Sequence, residues 1–338
     1  MIKKTYIIAE IGPNHNGSFQ MAKKMISLLK GSGVDAIKFQ LANPEKVYSK
    51  NSFKADYQIK NTNKGSIKDM SRRYQLSKED HLKLANLCRK NKIDYLCSAF
   101  DKESLEFLVK KIKVKYIKVP SGEITSLDIL NYISKLKKKI ILSTGMASIG
   151  EIKNAIKKLN KKHKQEIVIL HCVSSYPTDK KDLNLNIIKE FQKIFKIDIG
   201  FSDHSLGNEA SLAAVALGAK IIEKHVTISK KMIGPDHSSS SSIKEFYSLV
   251  KQIRELEKML GTSKKKLLRS EKNTRKVSRK SIVANKDLMR GKILKTNDIV
   301  FKRPGTGISP MNIRSIIGKK LKKNIPADNL ILMRYLKK

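Results

Sequence analysis

Lysines, hydroxyls, carboxylates and imidazoles recur where short apolar segments end in the first two thirds of this chain. Lys38 and Gln40 share one face of such a segment, because side chains alternate along a strand. An unpaired buried ammonium is too costly, so Lys38 needs a phosphate or carboxylate ligand or a salt bridge to Glu10. With Lys118 and the hydroxyls of four successive segments, it could hold a phosphate and a carboxylate together. These hydroxyls belong to Ser98, Ser121, Ser143 and Ser174.

Two histidines end neighbouring segments, and each has an acidic residue nearby. His204 follows Asp203, and His225 comes two residues after Glu223. The pair could share one divalent metal ion, with water and substrate oxygens in its remaining positions. Each imidazole could instead be only hydrogen-bonded inside the protein. A neighbouring carboxylate would orient the imidazole in either case.

Two turns present further groups suited to chemistry. Glu10–Gly17 combines a carboxylate, two amides and an imidazole, a set that fits sugar hydroxyls or proton transfer. Gly234–His237 adds the carboxylate of Asp236. The run Ser238–Ser242 predicts a loop that caps a helix beginning near Lys244.

Eight segments of strand length must position these groups, and stretches of helical character separate them. This alternation predicts an α/β fold with a (β/α)8 TIM barrel, in which the carboxyl ends of the strands surround one active site. The segments are Tyr6–Ile11, Ala36–Leu41, Ile93–Phe100, Tyr116–Ser121, Ile140–Gly145, Ile167–Cys172, Ile197–His204 and Ala219–Val226.

The length of 338 residues exceeds the about 250 residues that such a barrel needs. We expect the barrel over residues 1–265, a charged linker over 266–280 and a small β-rich domain over 281–338. The last segment has short strands and turns, and a domain of that size gains stability by docking on another surface.

The net charge of +41 raises the question of nucleic-acid binding. The cations are mostly lysines spread over helical stretches, and aromatic residues make up only 6% of the chain, with no Trp. Because nucleic-acid sites favour arginine and stacking aromatics, we expect no nucleic-acid partner, although the positive field would attract anionic metabolites.

No apolar run approaches the length of a membrane span, and from the residues before the first segment we expect no leader. We expect a cytoplasmic protein without a membrane partner. Cys88, Cys97 and Cys172 lack the close spacing of a metal or redox pair, so we expect them to be reduced core residues.

The polar clusters form motifs with a fixed order along the chain. They are EIGPNHNG at 10–17, KFQ at 38–40, KVPSGE at 118–123, LSTGM at 142–146, SDH at 202–204, EKH at 223–225 and GPDH at 234–237. Taken in order, these motifs resemble those of the sialic acid synthase family, which contains synthases of N-acetylneuraminate, legionaminate and pseudaminate. The tail, SIVA at 281–284 and KRPGTGI at 302–308, is similar to the family's C-terminal antifreeze-like SAF domain, so the resemblance covers essentially the whole chain.

This resemblance implies a transferase that condenses phosphoenolpyruvate with an N-acylated mannose-type sugar and water, giving a nine-carbon 2-keto acid and phosphate. It implies a divalent metal on His204 and His225, typically manganese, with magnesium or cobalt as alternatives. Glu10 or Glu123 would activate the water or assist sugar ring opening. The phosphoenolpyruvate ligands would be Lys38, Ser98, Lys118, Ser121, Ser143, Ser174 and Ser202, and the sugar ligands Glu10, Gln40, Glu123, Tyr176, Asp236 and Arg303.

The resemblance further implies a domain-swapped homodimer, in which the SAF domain of one subunit brings Arg303 to the active site of the other.

GPDH and the segment Ala55–Gln58 are closer to the neuraminate and legionaminate synthases than to the pseudaminate synthases. The sugar would then be N-acetylmannosamine or 2,4-diacetamido-2,4,6-trideoxymannose, with pseudaminate synthesis as the alternative. Ser174 follows Val173 where relatives often have Asn or Thr, and Ser238–Ser242 replaces a different stretch in many relatives.

Two other functions fit some of the same residues. A class I aldolase or lyase on this fold would use Lys118 or Lys38 to form a Schiff base with pyruvate. A non-catalytic protein could use the lysines to bind nucleic acid in a salt-sensitive way.

Overall fold

The computed structural model describes residues 4–62, 65–162 and 164–337, and the chain divides into two compact units between Gly261 and Thr262. In the first unit, eight parallel strands follow one another around a barrel, and pairing of the first with the eighth closes it. The predicted (β/α)8 architecture is confirmed. The strands are β1 Tyr6–Glu10, β2 Ala36–Leu41, β3 Asp94–Ala99, β4 Tyr116–Val119, β5 Lys139–Ser143, β6 Ile167–Cys172, β7 Ile199–Asp203 and β8 Ile221–Thr227.

Helices connect the strands, and the long helix that ends the first unit follows a two-residue strand, β9 Ser241–Ser242, paired with β8. Ser242 caps that helix by accepting a hydrogen bond from the Glu245 amide, so the predicted cap within the serine run is confirmed. The helices are α1 Phe19–Leu29, α2 Pro44–Val47, α3 Asp56–Asn61, α4 Ile67–Tyr74, α5 Lys78–Lys90, α6 Lys102–Phe107, α7 Leu127–Ile133, α8 Ile149–Leu159, α9 Ile187–Phe195, α10 Glu209–Ala216 and α11 Ile243–Leu260.

The barrel interior has an apolar layer and, two residues further along the strands, a polar layer. Because alternate residues face the same side of a strand, residues two positions apart lie in successive interior layers. A buried apolar layer contains Ile8, Ala36, Leu96, Ile141, Leu170 and Ile221. The residues two positions further on are Glu10, Lys38, Ser98, Ser143, Cys172 and Glu223.

Gly200 of β7 lies in the apolar layer, where the interior has no room for a side chain. A Cβ atom there would lie 2.5 Å from Leu170 Cδ2 and 2.7 Å from the Ile221 carbonyl oxygen. The glycine thus lets β7 pack closely beside its neighbours, and it places Ser202 in the polar layer above.

The second unit begins at Thr262 and contains α12 Glu271–Ser278, which lies within the segment expected as a linker. Its antiparallel strands, β10 Ser281–Ala284 and β11 Ile299–Lys302, pair with one another. A core of its own, separate from the barrel core, includes Ile282, Leu288, Ile316, Leu321 and Ile331.

Among the described residues, no helix combines the length and apolar character that crossing a membrane requires. Cys88, Cys97 and Cys172 are buried and form no disulfide.

Candidate active site

A cavity of about 350 Å³ lies at the carboxyl ends of the barrel strands. It is lined by the polar interior layer apart from Glu10, by the loops after the strands, and by residues of α3 and α4. Most of the residues predicted from the sequence meet there. They are Lys38, Gln40, Ser98, Lys118, Ser121, Ser143, Ser174, Tyr176, Ser202, His204, His225 and Asp236.

Lys38 lies at the bottom of this cavity between two carboxylates. Its ammonium pairs with Glu10, lies 3.2 Å from Glu223 Oε1, and donates a hydrogen bond of 3.2 Å to Ser98 Oγ. Burial alone would lower the pKa of Lys38, but Glu10 and Glu223 raise it above the usual lysine range. Lys38 is therefore a fixed positive charge.

Lys118 is the second buried ammonium, and its charge is less well compensated. It donates a 2.6 Å hydrogen bond to Ser143 Oγ and lies 3.8 Å from Glu223 Oε2. Burial lowers the pKa of Lys118 to about 8, against the opposing effect of Glu223. Burial would raise the pKa of Glu223, but Lys118 and Lys38 overcome that effect and hold it at about 2.

Small residues and hydroxyls form the corner of the cavity beside Lys118. Ser121 Oγ accepts a 3.0 Å hydrogen bond from the Gly145 amide and lies 3.3 Å from Cys172 Sγ. A Cβ atom on Gly145 would collide with Ser174 Oγ and would lie 2.9 Å from Ser121 Oγ. The absence of a side chain at Gly145 keeps both hydroxyls at the cavity surface.

The two histidines lie side by side, with ring centroids 5.4 Å apart. His204 Nδ1 is 2.7 Å from the Val173 carbonyl oxygen, which favours a proton on that nitrogen and leaves a lone pair on Nε2. His225 Nδ1 is buried without a hydrogen-bond partner, 3.4 Å from an Asp236 oxygen. Burial lowers the pKa of His204 to about 4 and that of His225 well below its usual range, so both imidazoles are neutral.

Aromatic rings continue from the histidines toward α3. The Tyr176 ring stacks on His204 at 4.3 Å and meets His225 edge-on at 5.7 Å. The Tyr57 ring of α3 lies 5.0 Å from Tyr176. Asp236 faces the same region, and burial raises its pKa to about 7. The cavity therefore has a cationic end at the lysines and an aromatic end at α3.

The model of the NeuB family matches residues 25–265, and that of the SAF domain matches residues 279–334. The chain belongs to the NeuB family. The resemblance inferred from the motifs is confirmed.

Two relatives match this chain over nearly its whole length. It is 43% identical to an N,N'-diacetyllegionaminic acid synthase of Campylobacter jejuni, covering 98% of this chain and 99% of the relative. It is 37% identical to the Legionella pneumophila enzyme of the same name, covering 98% and 94%. The crystal structure of an N-acetylneuraminic acid synthetase from Leptospira borgpetersenii in complex with citrate superposes with a TM-score of 0.72 at 34% identity, covering 80% of this chain and 90% of that one.

Three of the predicted site residues lie outside the described cavity lining of this NeuB-family chain. Glu10 is fully buried next to the cavity, where it pairs with Lys38 and accepts a 2.7 Å hydrogen bond from the Gly12 amide. Glu123 faces a second cleft and accepts a hydrogen bond from Ser126. Arg303 is exposed in the second unit.

The carboxylates next to the histidines do not orient them as expected. Asp203 pairs instead with Lys224 at 2.8 Å and accepts hydrogen bonds from Ser205 and Ser211. Glu223 points into the barrel and lies between the two lysines. Strand alternation explains the difference, because Glu223 and His225 share the inner face whereas Lys224 faces the helices.

Several residues of the cavity were missed from the sequence, among them Cys172 and Tyr57. Cys172 was assigned to the core, but its sulfur accepts a 3.1 Å hydrogen bond from the Gly145 amide and lines the cavity. Its position at the end of β6, two residues after Leu170, was the available signal. Tyr57 lies on the short helix α3. The alternation of side chains along a strand does not predict which residues of a helix face the cavity.

Proposed function

We propose that this barrel condenses phosphoenolpyruvate with 2,4-diacetamido-2,4,6-trideoxymannose and water, forming N,N'-diacetyllegionaminate and phosphate. The observation that carries the proposal is the pairing of Lys38 and Lys118 with serine hydroxyls in one buried cavity next to two neutral histidines. The product is taken from the two legionaminic acid synthases compared above. Pseudaminic acid synthases and the N-acetylneuraminic acid synthetase are less similar, each at 34% identity. Synthesis of N-acetylneuraminate from N-acetylmannosamine and synthesis of pseudaminate are therefore the alternatives.

The cationic end of the cavity suits a ligand with two anionic groups. Lys38 with Ser98 and Lys118 with Ser143 present two separate donor pairs, and Ser202 adds a hydroxyl held by Glu223 at 3.0 Å. Charge-assisted hydrogen bonds from ammonium groups to phosphate and carboxylate oxygens are the strong ones inside a protein. Ser121 and Ser174 would complete the phosphoenolpyruvate site at the Gly145 corner.

Carbon–carbon bond formation joins the methylene carbon of phosphoenolpyruvate to the sugar aldehyde carbon. The electron pair of the aldehyde C=O bond moves to its oxygen, which takes up a proton and becomes a hydroxyl. The carbon that bears the phosphate is left electron-poor, and water adds there with loss of a proton. The C–O bond to phosphate then breaks, the remaining hydroxyl proton leaves, and the ketone and phosphate are released. We assign proton removal from that water to Glu10, since burial raises the pKa of its carboxyl and it lies against Lys38. Glu123 is the weaker candidate because it faces another cleft.

We propose His204 and His225 as ligands of a divalent metal, with manganese as the first choice and magnesium or cobalt as alternatives. The unpartnered Nδ1 of His225 and the Nε2 lone pair of His204, which lies 3.2 Å from Ser202 Oγ, fit this role, because ligating imidazoles must be neutral. Among the described residues, no group of three or more His, Cys, Asp or Glu is arranged to hold a metal, so two protein ligands are proposed. The bound ion would polarise the sugar aldehyde.

The sugar would lie between the histidines and the aromatic end, in contact with Gln40, Tyr176 and Asp236, with Arg303 supplied by the SAF domain of a second subunit. A homodimer is supported by exposed apolar side chains on segments that follow the barrel strands, at the end where the cavity opens. These are Phe53, Leu127, Met146 and Ile233, which are between 59% and 85% exposed.

The proposed reaction is tested by phosphate release from purified full-length protein with manganese, phosphoenolpyruvate and each candidate sugar. We expect release only when both substrates are present, with a nine-carbon 2-keto acid as the product by mass spectrometry. Trapping of pyruvate on the protein by borohydride, without phosphate release, would instead favour a lysine Schiff base.

A further inference from the structure

We propose that Asn14 and Ser240 position the carboxylate of Asp236 for sugar binding, although neither residue belongs to the described lining of the cavity. Asn14 lies in the turn after β1, and Ser240 lies in the serine run before α11. Both side chains are 1% exposed. They act through Asp236 and are therefore positioning residues. The inference rests on the proposed function, since it takes the assignment of Asp236 to the sugar from there.

Asn14 connects the end of β8 to the loop that carries Asp236. Its side-chain amide donates a 2.9 Å hydrogen bond to the Val226 carbonyl oxygen and one of 2.8 Å to Ser240 Oγ. Val226 directly follows His225 in β8. Because a carbonyl oxygen can only accept, the contact with Val226 fixes which way the Asn14 amide is turned. One side chain thus holds both the backbone next to His225 and a hydroxyl of the loop.

Ser240 connects Asn14 to the backbone of Asp236. Its hydroxyl accepts from Asn14 and donates a 2.6 Å hydrogen bond to the Asp236 carbonyl oxygen. The same oxygen accepts hydrogen bonds from the amide of Ser239 at 3.2 Å and from its hydroxyl at 3.0 Å. The Ser239 contacts lie within the turn 236–239 and shape that turn. The Ser240 contact, in contrast, connects the turn through Asn14 to β8.

The side chain of Asp236 lines the cavity, and one of its carboxylate oxygens is 3.4 Å from His225 Nδ1. His225 lies on β8, whereas Asp236 lies on a separate loop. The distance between the two side chains therefore depends on how the loop is held against β8. The contacts of Asn14 with Val226 and Ser240 hold it there, so their loss would displace the carboxylate from the sugar.

Other contacts keep this loop folded without the hydroxyl of Ser240. His237 Nδ1 is 2.7 Å from Thr227 Oγ1, and its Nε2 is 2.9 Å from Asn16 Oδ1. The strand β9, Ser241–Ser242, pairs with β8. Because these contacts do not involve the Ser240 side chain, we expect a variant that lacks its hydroxyl to fold.

The test compares Ser240→Ala with Ser239→Ala by the kinetics of phosphate release, using full-length protein with manganese and the candidate sugar that the wild type turns over fastest. Each variant removes one hydroxyl from the Asp236 carbonyl oxygen, but Ser240→Ala also leaves a buried N–H of Asn14 without its acceptor. We expect Ser240→Ala to raise the KM for the sugar about tenfold and to leave the KM for phosphoenolpyruvate unchanged. Ser239→Ala is the matched control and should keep both KM values.

Three results decide between the possible outcomes. Equal sugar KM values in the two variants, or an equal rise in the KM of both substrates in Ser240→Ala, would overturn the positioning role while phosphate release by the wild type stands. A loss in the free energy of unfolding of Ser240→Ala with no change in the sugar KM would show a structural role instead. Absence of phosphate release by the wild type with every candidate sugar would overturn the proposed function, and the positioning role with it.

A double variant tests whether Asn14 and Ser240 act together. Asn14→Ala removes the contacts with both Val226 and Ser240, and we expect its sugar KM to rise about tenfold or more. Because Ser240 acts through Asn14, adding Ser240→Ala to Asn14→Ala should raise the sugar KM no further. If the effects of the two substitutions instead multiply, the two residues act separately and the proposed connection between them is wrong.

Discussion

The ammonium of Lys38 and the carboxylate of Glu223 lie 3.2 Å apart inside the barrel. The second oxygen of Glu223 is 3.8 Å from Lys118, so one carboxylate lies between both lysines of the proposed phosphoenolpyruvate site. All three side chains are at most 5% exposed. Glu223 therefore keeps two ammonium groups within one small cavity before any anionic ligand arrives, and the first prediction concerns its charge.

Replacing Glu223 by Gln leaves the shape of the side chain but removes the charge between the lysines. Removal of one partner from a buried ion pair costs about 3 kcal/mol or more, so we expect a loss of that size in the free energy of unfolding, measured by urea denaturation. Glu166→Gln is the matched control, since Glu166 pairs with Lys139 at 3.0 Å on the surface. It should cost less than about 1 kcal/mol. Equal losses for the two variants would contradict the role of Glu223.

The pKa of Lys118 predicts how phosphoenolpyruvate use depends on pH. Burial lowers this pKa to about 8, so the side chain is an ammonium below pH 8 and loses its charge above it. An anionic substrate needs the ammonium, and we expect kcat/KM for phosphoenolpyruvate to fall as the pH rises from 7 to 9. Lys118→Arg stays charged over this range and should remove the fall, whatever its overall activity. A fall that persists in Lys118→Arg would assign it to another group.

Gly145 and Gly122 offer a matched pair of substitutions near the same corner of the cavity. A Cβ on Gly145 would meet Ser174 Oγ and Ser121 Oγ, whereas a Cβ on Gly122 would meet nothing within 4 Å. Because serine hydroxyls can turn away, Gly145→Ala should fold but displace both from the substrate. We expect the KM for phosphoenolpyruvate to rise about tenfold or more. Gly122→Ala should leave it unchanged, and an equal KM in the two variants would exclude the corner from binding.

Strand alternation made most of this site predictable from the sequence. The step of two residues from Ile8 to Glu10 and from Ala36 to Lys38 places a polar residue directly above an apolar one on the inner face. That regularity identifies which side chains point inward. It does not identify their partners, and Glu223 was for this reason assigned to a histidine when it lies between two lysines.

Prediction from the sequence was less accurate for residues outside the strands. Ser121 and Glu123 belong to one short 3-10 turn, in which residues two positions apart point in different directions. Ser121 accordingly lines the cavity and Glu123 faces another cleft. Tyr57 and Met70 lie on short helices whose placement depends on packing against the barrel, and no local pattern marks them as cavity residues.

If His204 and His225 bind a metal, a variant that lacks one of them should lose metal binding, and this loss can be measured without turnover. We expect His225→Ala to lose manganese binding in isothermal titration calorimetry and to lose phosphate release, because it removes one of two proposed ligands. His171→Ala is the control, since His171 is also buried in the barrel but packs against Phe191 and Phe201 and contacts the Leu183 carbonyl oxygen. It should lower stability and keep manganese binding. Manganese binding or full activity in folded His225→Ala would exclude the metal role.

The proposed exchange of SAF domains predicts recovery of activity between two inactive variants. If Arg303 acts on the barrel of the partner subunit, a dimer of His225→Ala with Arg303→Ala contains one site with both defects and one with none. Random assembly of co-expressed variants should then restore about a quarter of wild-type activity, although each variant alone is inactive. If Arg303 acted within its own chain, every site would carry one defect and the mixture would stay inactive. Two differently tagged copies of Arg303→Ala, expressed together, are the control for expression. The measured fraction of heterodimers then sets the recovery that is expected.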